Sequence, residues 1–357
     1  MRLLTRIAAP VVVATAMFGV AITYAGGSPD AASAARATAS ACPAPREGVQ
    51  KGVAVLWRQL NVSAADDQRA KDIARYAKGL GANSLSVNFL IDTSSVRGTR
   101  VYAGSQTPSP ASLRQMIVAA KAAGLRVSLR PVVDESNIPR PNWRGTISPS
   151  SVPAWFTSYG NLMVTYANLA RSTCSDELVV GVELASMQRY TARWMAVASR
   201  VRGTGFHGDL AYSANSTSPT TFPFVRRPGV DFYPALNLGL SATTAQVTAG
   251  LTKAFKALPV AVRTNLVVGE TGFAAVGGAY THPYAWNTGK TSTVKQQATW
   301  FTSACRAALG IHAKGIYFWT VDSWADPFNP DPRYVGTFGF ERRPAEAAVR
   351  GCFARQW

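Results

Sequence analysis

Two glutamates interrupt strongly apolar runs near their C-terminal ends: Glu183 in VVGVELAS and Glu270 in VVGETGF. A lone carboxylate is costly to bury, so each must be either an ion-pair partner or a reacting group. Two of them across one cleft could break a glycosidic bond. One, kept protonated, hands its proton to the departing oxygen, and the other attacks the anomeric carbon or activates a water. Their surroundings must then drive the two proton affinities apart. Indole rings would serve the same chemistry, because their flat faces stack on the C–H faces of sugars. Trp57, Trp143, Trp286, Trp319 and Trp324 stand at the ends of apolar runs or just beyond them, whereas Trp155, Trp194 and Trp300 fall inside helical patterns and are read as core.

Other reaction classes find little support. None of the three histidines, His207, His282 and His312, closes an apolar run. There is no G-x-S-x-G, H-E-x-x-H or phosphate-binding glycine loop. Asp322, Asp326 and Asp331 are near enough in sequence to consider a metal, but Pro327, Pro330 and Pro332 fit a rigid loop better. Neither metal nor other cofactor is expected.

The elements that must position these groups repeat. The runs are GVAVLW (52–57), SLSVNFLID (84–92), RVSLRPVVD (126–134), ELVVGVEL (177–184), DLAYSAN (209–215), VDFYPAL (230–236), NLVVGETGF (265–273) and KGIYFWTVD (314–322). Each is followed by a helical pattern, poor and short only after the fifth. Near-continuous apolar strands alternating with helices build a parallel sheet covered on both faces. Eight such units in roughly 300 residues is the count of an α/β fold of the (β/α)8 TIM-barrel type, with its active site at the C-terminal strand ends. A doubly wound open sheet would require a Gly-rich loop after the first strand, and LWRQLN offers none. The polar residues at the strand ends include Asn88, Arg130, Asp134, Glu135, Asn215 and Tyr233.

The N-terminus reads differently. Arg2 and Arg6 precede an apolar stretch over residues 7–25 and then small residues, so residues 1–34 are expected to be a signal peptide, with a retained membrane anchor as the alternative. Residues 35–50 read as an Ala/Ser/Pro-rich tether and 51–357 as one catalytic domain. The protein is expected to be a monomer outside the cell, secreted or wall-associated. Its charge of +18 comes mostly from scattered arginines. Scatter argues against nucleic acid; weak adhesion to an acidic wall and a plainly solvated surface both fit. The four cysteines allow three pairings. Cys305 and Cys352 lie on the helices flanking the eighth strand, and Cys42 and Cys174 precede the first and fourth strands, which favours Cys305–Cys352 with Cys42–Cys174.

The chain resembles glycoside hydrolase family 113, β-mannanase-like (β/α)8 barrels of clan A. The matching stretches are GLGANSLSV, KAAGLRVSLRPVVD, NWRGTISP, WFTSYGNLMVTYANLA, VVGVELASM, LAYSANS, VDFYPAL, VVGETGF and IYFWTVD. The resemblance implies retaining cleavage of a β-linked polysaccharide by double displacement, with β-1,4-mannan as the leading candidate. Glu183 would be the acid/base and Glu270 the nucleophile. Tyr233 would hydrogen-bond the nucleophile, and Trp319 would floor the subsite of the sugar being cleaved. Asn88, Asp134, Trp143, Arg144 and Asn215 would contact hydroxyls or shape the cleft. Two positions depart from the pattern: Val182 stands where many clan members have Asn, and Ser216 follows Asn215 where an aromatic is expected. Two alternatives remain. One is a catalytically inactive barrel that binds polysaccharide or cell wall. The other is a barrel enzyme such as an aldolase or metal-dependent hydrolase, which would need a strand-end lysine or histidine cluster that is not found.

Overall fold

The computed structural model describes residues 42–285, 289–330 and 337–357. The expected signal or anchor segment, residues 1–34, lies outside them, as do Trp286 and Asp331.

The eight apolar runs are the eight strands of a closed barrel. In chain order the strands are β1 (Gln50–Leu56), β2 (Ser84–Thr93), β3 (Val101–Tyr102), β4 (Arg126–Val133), β5 (Glu177–Val182), β6 (Asp209–Asn215), β7 (Gly229–Asp231), β8 (Val267–Thr271) and β9 (Gly315–Val321). All pair in parallel except β3, a two-residue antiparallel addition to the end of β2. The sheet runs β1-β9-β8-β7-β6-β5-β4-β2, and β1 also pairs with β2, which closes the ring. The sixth run forms only a three-residue strand. Pro234, with no N–H to donate, falls where a longer strand would need one.

Outside the ring lie α1 (Ala64–Gly79), α2 (Pro110–Ala122), α3 (Val152–Ser172), α4 (Thr191–Arg202), α5 (Thr244–Ala257), α6 (Val260–Arg263), α7 (Val294–Gly310) and α8 (Pro344–Phe353). The α1 boundaries follow from its sequence. Ser63 accepts from the Asp66 N–H as N-cap, Asp66 and Asp67 meet the positive end, and Gly81 beyond the C-terminus takes φ +88. The connection between β6 and β7 contains no helix, in line with the weak pattern there.

The helix tryptophans do more than fill space. Trp155, Trp194 and Trp300 are fully buried. Trp194 Nε1 donates to the Met187 carbonyl at 2.9 Å, fixing the turn after Glu183. Trp300 Nε1 donates to Thr271 Oγ1 at 3.0 Å, and that hydroxyl donates to the Phe232 carbonyl at 2.9 Å, fixing the residue after Glu270. The outer layer thus reaches through to both strand ends that carry a glutamate.

At the opposite end of the barrel, residues 42–50 do not behave as a tether. Cys42 is bonded to Cys174, and Cys305 to Cys352, the favoured pairing. Glu47 pairs with Arg226 and Arg227 at 2.9 and 3.0 Å. Among the described residues the compact unit therefore takes in residues 42–50 together with the barrel. A disulfide and three ions fix a stretch that its composition alone made look loose.

Candidate active site

Glu183 and Glu270 are held at the C-terminal mouth of the barrel by different elements. Glu183 follows β5 directly, with its backbone in the left-handed region at φ 53 and its N–H donating to the Ser213 carbonyl at 2.8 Å. A non-glycine residue in that conformation persists only where its surroundings over-determine it, and such residues cluster at functional sites. The strand also loses its regular register against β6 between Val179 and Val182. Gly181 sits in that irregularity, where a Cβ would come within 2.4 Å of the Tyr212 ring. The bulge swings Glu183 inward. Its Oε1 accepts from Asn215 Nδ2 at 2.7 Å and its Oε2 from Arg144 Nη1 at 2.9 Å. Arg144 is held in turn by the Val133 carbonyl at 2.9 Å and by Glu135 at 3.2 Å.

Glu270 lies on β8. Its Oε1 accepts from the Tyr233 hydroxyl at 2.7 Å, and Arg130 Nη2 stands 3.3 Å from its Oε2. Burial, and then the charges of Asp231 and Glu183, push the Glu270 carboxyl up to about 8, against the opposing pull of Arg130 and Tyr233. Burial also raises Asp231, to about 6. Burial and the adjacent Glu270 charge hold the Tyr233 phenol well above its ordinary range, so it remains a donor. Arg130 and Arg144 thus face three buried or half-buried carboxylates, Glu183, Glu270 and Asp231. Arg144 also serves Glu135, so carboxylates outnumber guanidiniums here, and the buried pair Glu270 and Asp231 is held toward its protonated form. A site that must hold one carboxyl protonated and another ionised is equipped by that arrangement.

The other expected residues divide. Asn215, Arg144 and Tyr233 meet the glutamates directly. Trp143 and Trp319 are half-buried at the mouth, and Trp324 is 51% exposed on the loop after β9. Asp134 is half-buried there too, but its oxygens are engaged by the Glu135 N–H and Ser136 hydroxyl at 2.8 and 2.7 Å. Two expectations are corrected. Trp57 is 0% exposed, with Nε1 donating to Ser112 Oγ at 2.9 Å, so it packs α2 onto the end of β1 and offers no face to a sugar. Asn88 is also 0% exposed; its amide donates to the Ser86 carbonyl at 3.1 Å and the Val55 carbonyl at 3.3 Å, joining β1 to β2.

Asp322 and Asp326 serve their own loop, accepting from the N–H groups of Trp324 and Phe328 at 2.8 and 2.9 Å. Among the described residues no three His, Cys, Asp or Glu side chains are grouped to hold a metal. Three residues went unnoticed as members of the site or its support: Asp231, Ser213 and Glu341. Glu341, 2% exposed, accepts from the Asp322 N–H at 2.5 Å and braces the Trp319–Trp324 segment. Burial pushes its carboxyl up to about 7. For Asp231 the signal was present, a charge inside the apolar run VDFYPAL.

The profile of Glycoside Hydrolase Family 113 matches residues 59–328, about three-quarters of the chain. Solved structures share the fold. A GH113 β-1,4-mannanase superposes with a TM-score of 0.72 at 19% identity, over 87% of this chain and 100% of its own. The GH113 β-mannanase AaManA from Alicyclobacillus acidocaldarius, in complex with ManMIm, gives 0.70 at 21% identity, over 87% and 99%. An endo-β-1,4-mannanase from Thermotoga petrophila gives 0.57 at 10% identity, over 86% and 77%. Among curated proteins there is no match.

Proposed function

This chain belongs to Glycoside Hydrolase Family 113 and is a retaining glycoside hydrolase; we propose that it cleaves β-1,4-mannan within the chain, with Glu270 as nucleophile and Glu183 as acid/base. The observation that carries the assignment is that each glutamate, at the barrel mouth, has both carboxyl oxygens gripped by donors from other strands or loops. The β-mannanase descriptions of the solved relatives support the substrate.

In the first step a Glu270 oxygen attacks the anomeric carbon while the glycosidic C–O bond breaks, and the leaving oxygen takes the proton of Glu183. In the second, a water gives its proton to Glu183, its oxygen bonds to the anomeric carbon, and Glu270 departs. Two inversions leave the configuration unchanged. Tyr233 and Arg130 keep the Glu270 oxygens aimed, Asn215 and Arg144 do so for Glu183, and Trp319, half-buried after Phe318, would floor the subsite of the sugar being cleaved.

Export rests on the basic, apolar and small-residue pattern of residues 1–34, and the two disulfides suit an oxidising compartment. The net charge of +18 suits weak adhesion to an acidic wall. Azide separates the two glutamate roles. With a nitrophenyl β-mannoside, which needs no proton to leave, Glu183→Ala should regain turnover in azide and yield the β-glycosyl azide. Glu270→Ala rescue should yield the α anomer. The inverted product from Glu183→Ala would exchange the roles, and wild-type rates in both variants would end the proposal.

A further inference from the structure

Beside Glu270, on the neighbouring strand, lies a carboxylate that neither step uses. Asp231, on β7, is 1% exposed. Its Oδ1 accepts from Ser213 Oγ at 2.6 Å and its Oδ2 from Arg130 Nη2 at 2.5 Å. The same Nη2 is the nitrogen that stands 3.3 Å from Glu270 Oε2, while Nη1 donates to the Gly269 carbonyl at 3.0 Å. Arg130 therefore grips the β8 backbone one residue before Glu270 and divides one N–H-bearing nitrogen between two carboxylates. Gly269 makes room for this: a Cβ there would lie 2.4 Å from Ser213 Oγ, 3.2 Å from Asp231 Oδ1 and 3.3 Å from Arg130 Nη1.

An arginine needed only to neutralise Glu270 would need no second buried acid. We propose that Asp231 is a positioning residue for the nucleophile: it anchors Arg130 on the floor of the site, so that Glu270 is steered by the guanidinium without being locked into a closed ion pair with it. The role rests on the reading of Glu270 as nucleophile. A carboxylate claimed in full by one guanidinium holds its lone pairs against that partner, and sharing the cation loosens the hold. The charged and titratable groups facing this pair are Arg130 from β4, Tyr233 just past β7, and Glu183 and Arg144 at the mouth; Ser213 faces it from β6. Burial raises both the Glu270 and the Asp231 carboxyl, and Arg130 pulls each of them back down.

The test needs no substrate. The full chain is labelled with 13C at the glutamate side-chain carboxyls, and the Glu270 signal is identified by its loss in Glu270→Gln. Asp231→Asn keeps the shape and removes the competing charge, so the Glu270 midpoint should fall by about one pH unit or more. With a nitrophenyl β-mannoside the same variant should lose kcat more than it raises KM, because the nucleophile is present but held. Should Asp231→Asn fail to fold, Ser213→Ala removes the hydrogen bond that favours ionised Asp231 and should move the midpoint the same way by less. A midpoint unmoved in the folded variant overturns the role of Asp231 and leaves the reading of Glu270 standing. Wild-type inactivity on mannan would remove that reading without altering the titration.

Discussion

The Tyr233 hydroxyl donates to Glu270 Oε1 at 2.7 Å from just beyond β7. A hydrogen bond to a charged acceptor contributes about 1.5–3 kcal/mol, so Tyr233→Phe should lower kcat/KM roughly 10- to 100-fold. The bond also favours the ionised form of Glu270. Its loss should move the acid limb of the pH–rate profile toward higher pH. Initial rates over a pH series check both, and a profile merely scaled down would mean that Tyr233 does not act on Glu270.

Stability should fall as the solution becomes more alkaline. The unfolded chain releases the Glu270 and Glu341 protons near 4.5, whereas the folded chain holds them to about 8 and about 7. Between those limits the folded state binds more protons, so the stabilisation is fully present below the unfolded value and is lost as pH rises through the window. Thermal unfolding followed by circular dichroism should show a midpoint several degrees lower at about pH 8 than at about pH 5. Glu341→Gln should flatten that slope. An unchanged slope would show that Glu341 is ionised in the fold across the whole range.

The two disulfides should stabilise without touching the chemistry. They join residues separated by 132 and 47 positions, loops for which closure entropy is about 4–5 kcal/mol each. Replacing either pair by serine should lower the thermal midpoint and leave kcat and KM at low temperature unchanged. Lost activity in the folded Cys42→Ser/Cys174→Ser protein would show that the N-terminal segment bears on the mouth of the barrel.

Two tryptophans that look alike in sequence should respond in opposite ways. Trp57→Ala opens a cavity in a site with no exposure and should cost about 3–5 kcal/mol of stability. Trp324→Ala should leave the thermal midpoint in place and raise KM for mannan several-fold, with kcat on a short aryl mannoside unchanged. Denaturant unfolding and steady-state kinetics on both variants separate packing from binding.

The contrast between those residues marks what a sequence carries. A carboxylate inside an apolar run is visible at once, and Glu183 and Glu270 were legible for that reason; so were the eight strands, since each run and its helix signal locally. Which charges meet is decided elsewhere. In unbroken register Asp231 would pair with Gly269, because Val230 pairs with Val268; the irregularity between Val230 and Asp231 sets it beside Glu270. No local pattern encodes that shift. Trp57 closes its run just as Asn215 does, Asn88 interrupts its own, and only the packing of α2 and the close approach of β1 to β2 bury them. Residues 42–50 looked like linker by composition, while their order comes from Cys174, Arg226 and Arg227, distant in the chain.

The most direct measurement is capture of the covalent intermediate. A 2-deoxy-2-fluoro-β-mannosyl fluoride carries a fluorine that slows both steps and a leaving group that keeps the first one fast, so the sugar ester accumulates. Peptide mapping by mass spectrometry should find one added fluorosugar per chain, attached to Glu270 in the VVGETGF peptide, with none formed by Glu270→Ala. A sugar on Glu183, or an active enzyme that releases inverted product and forms no adduct, would contradict the account.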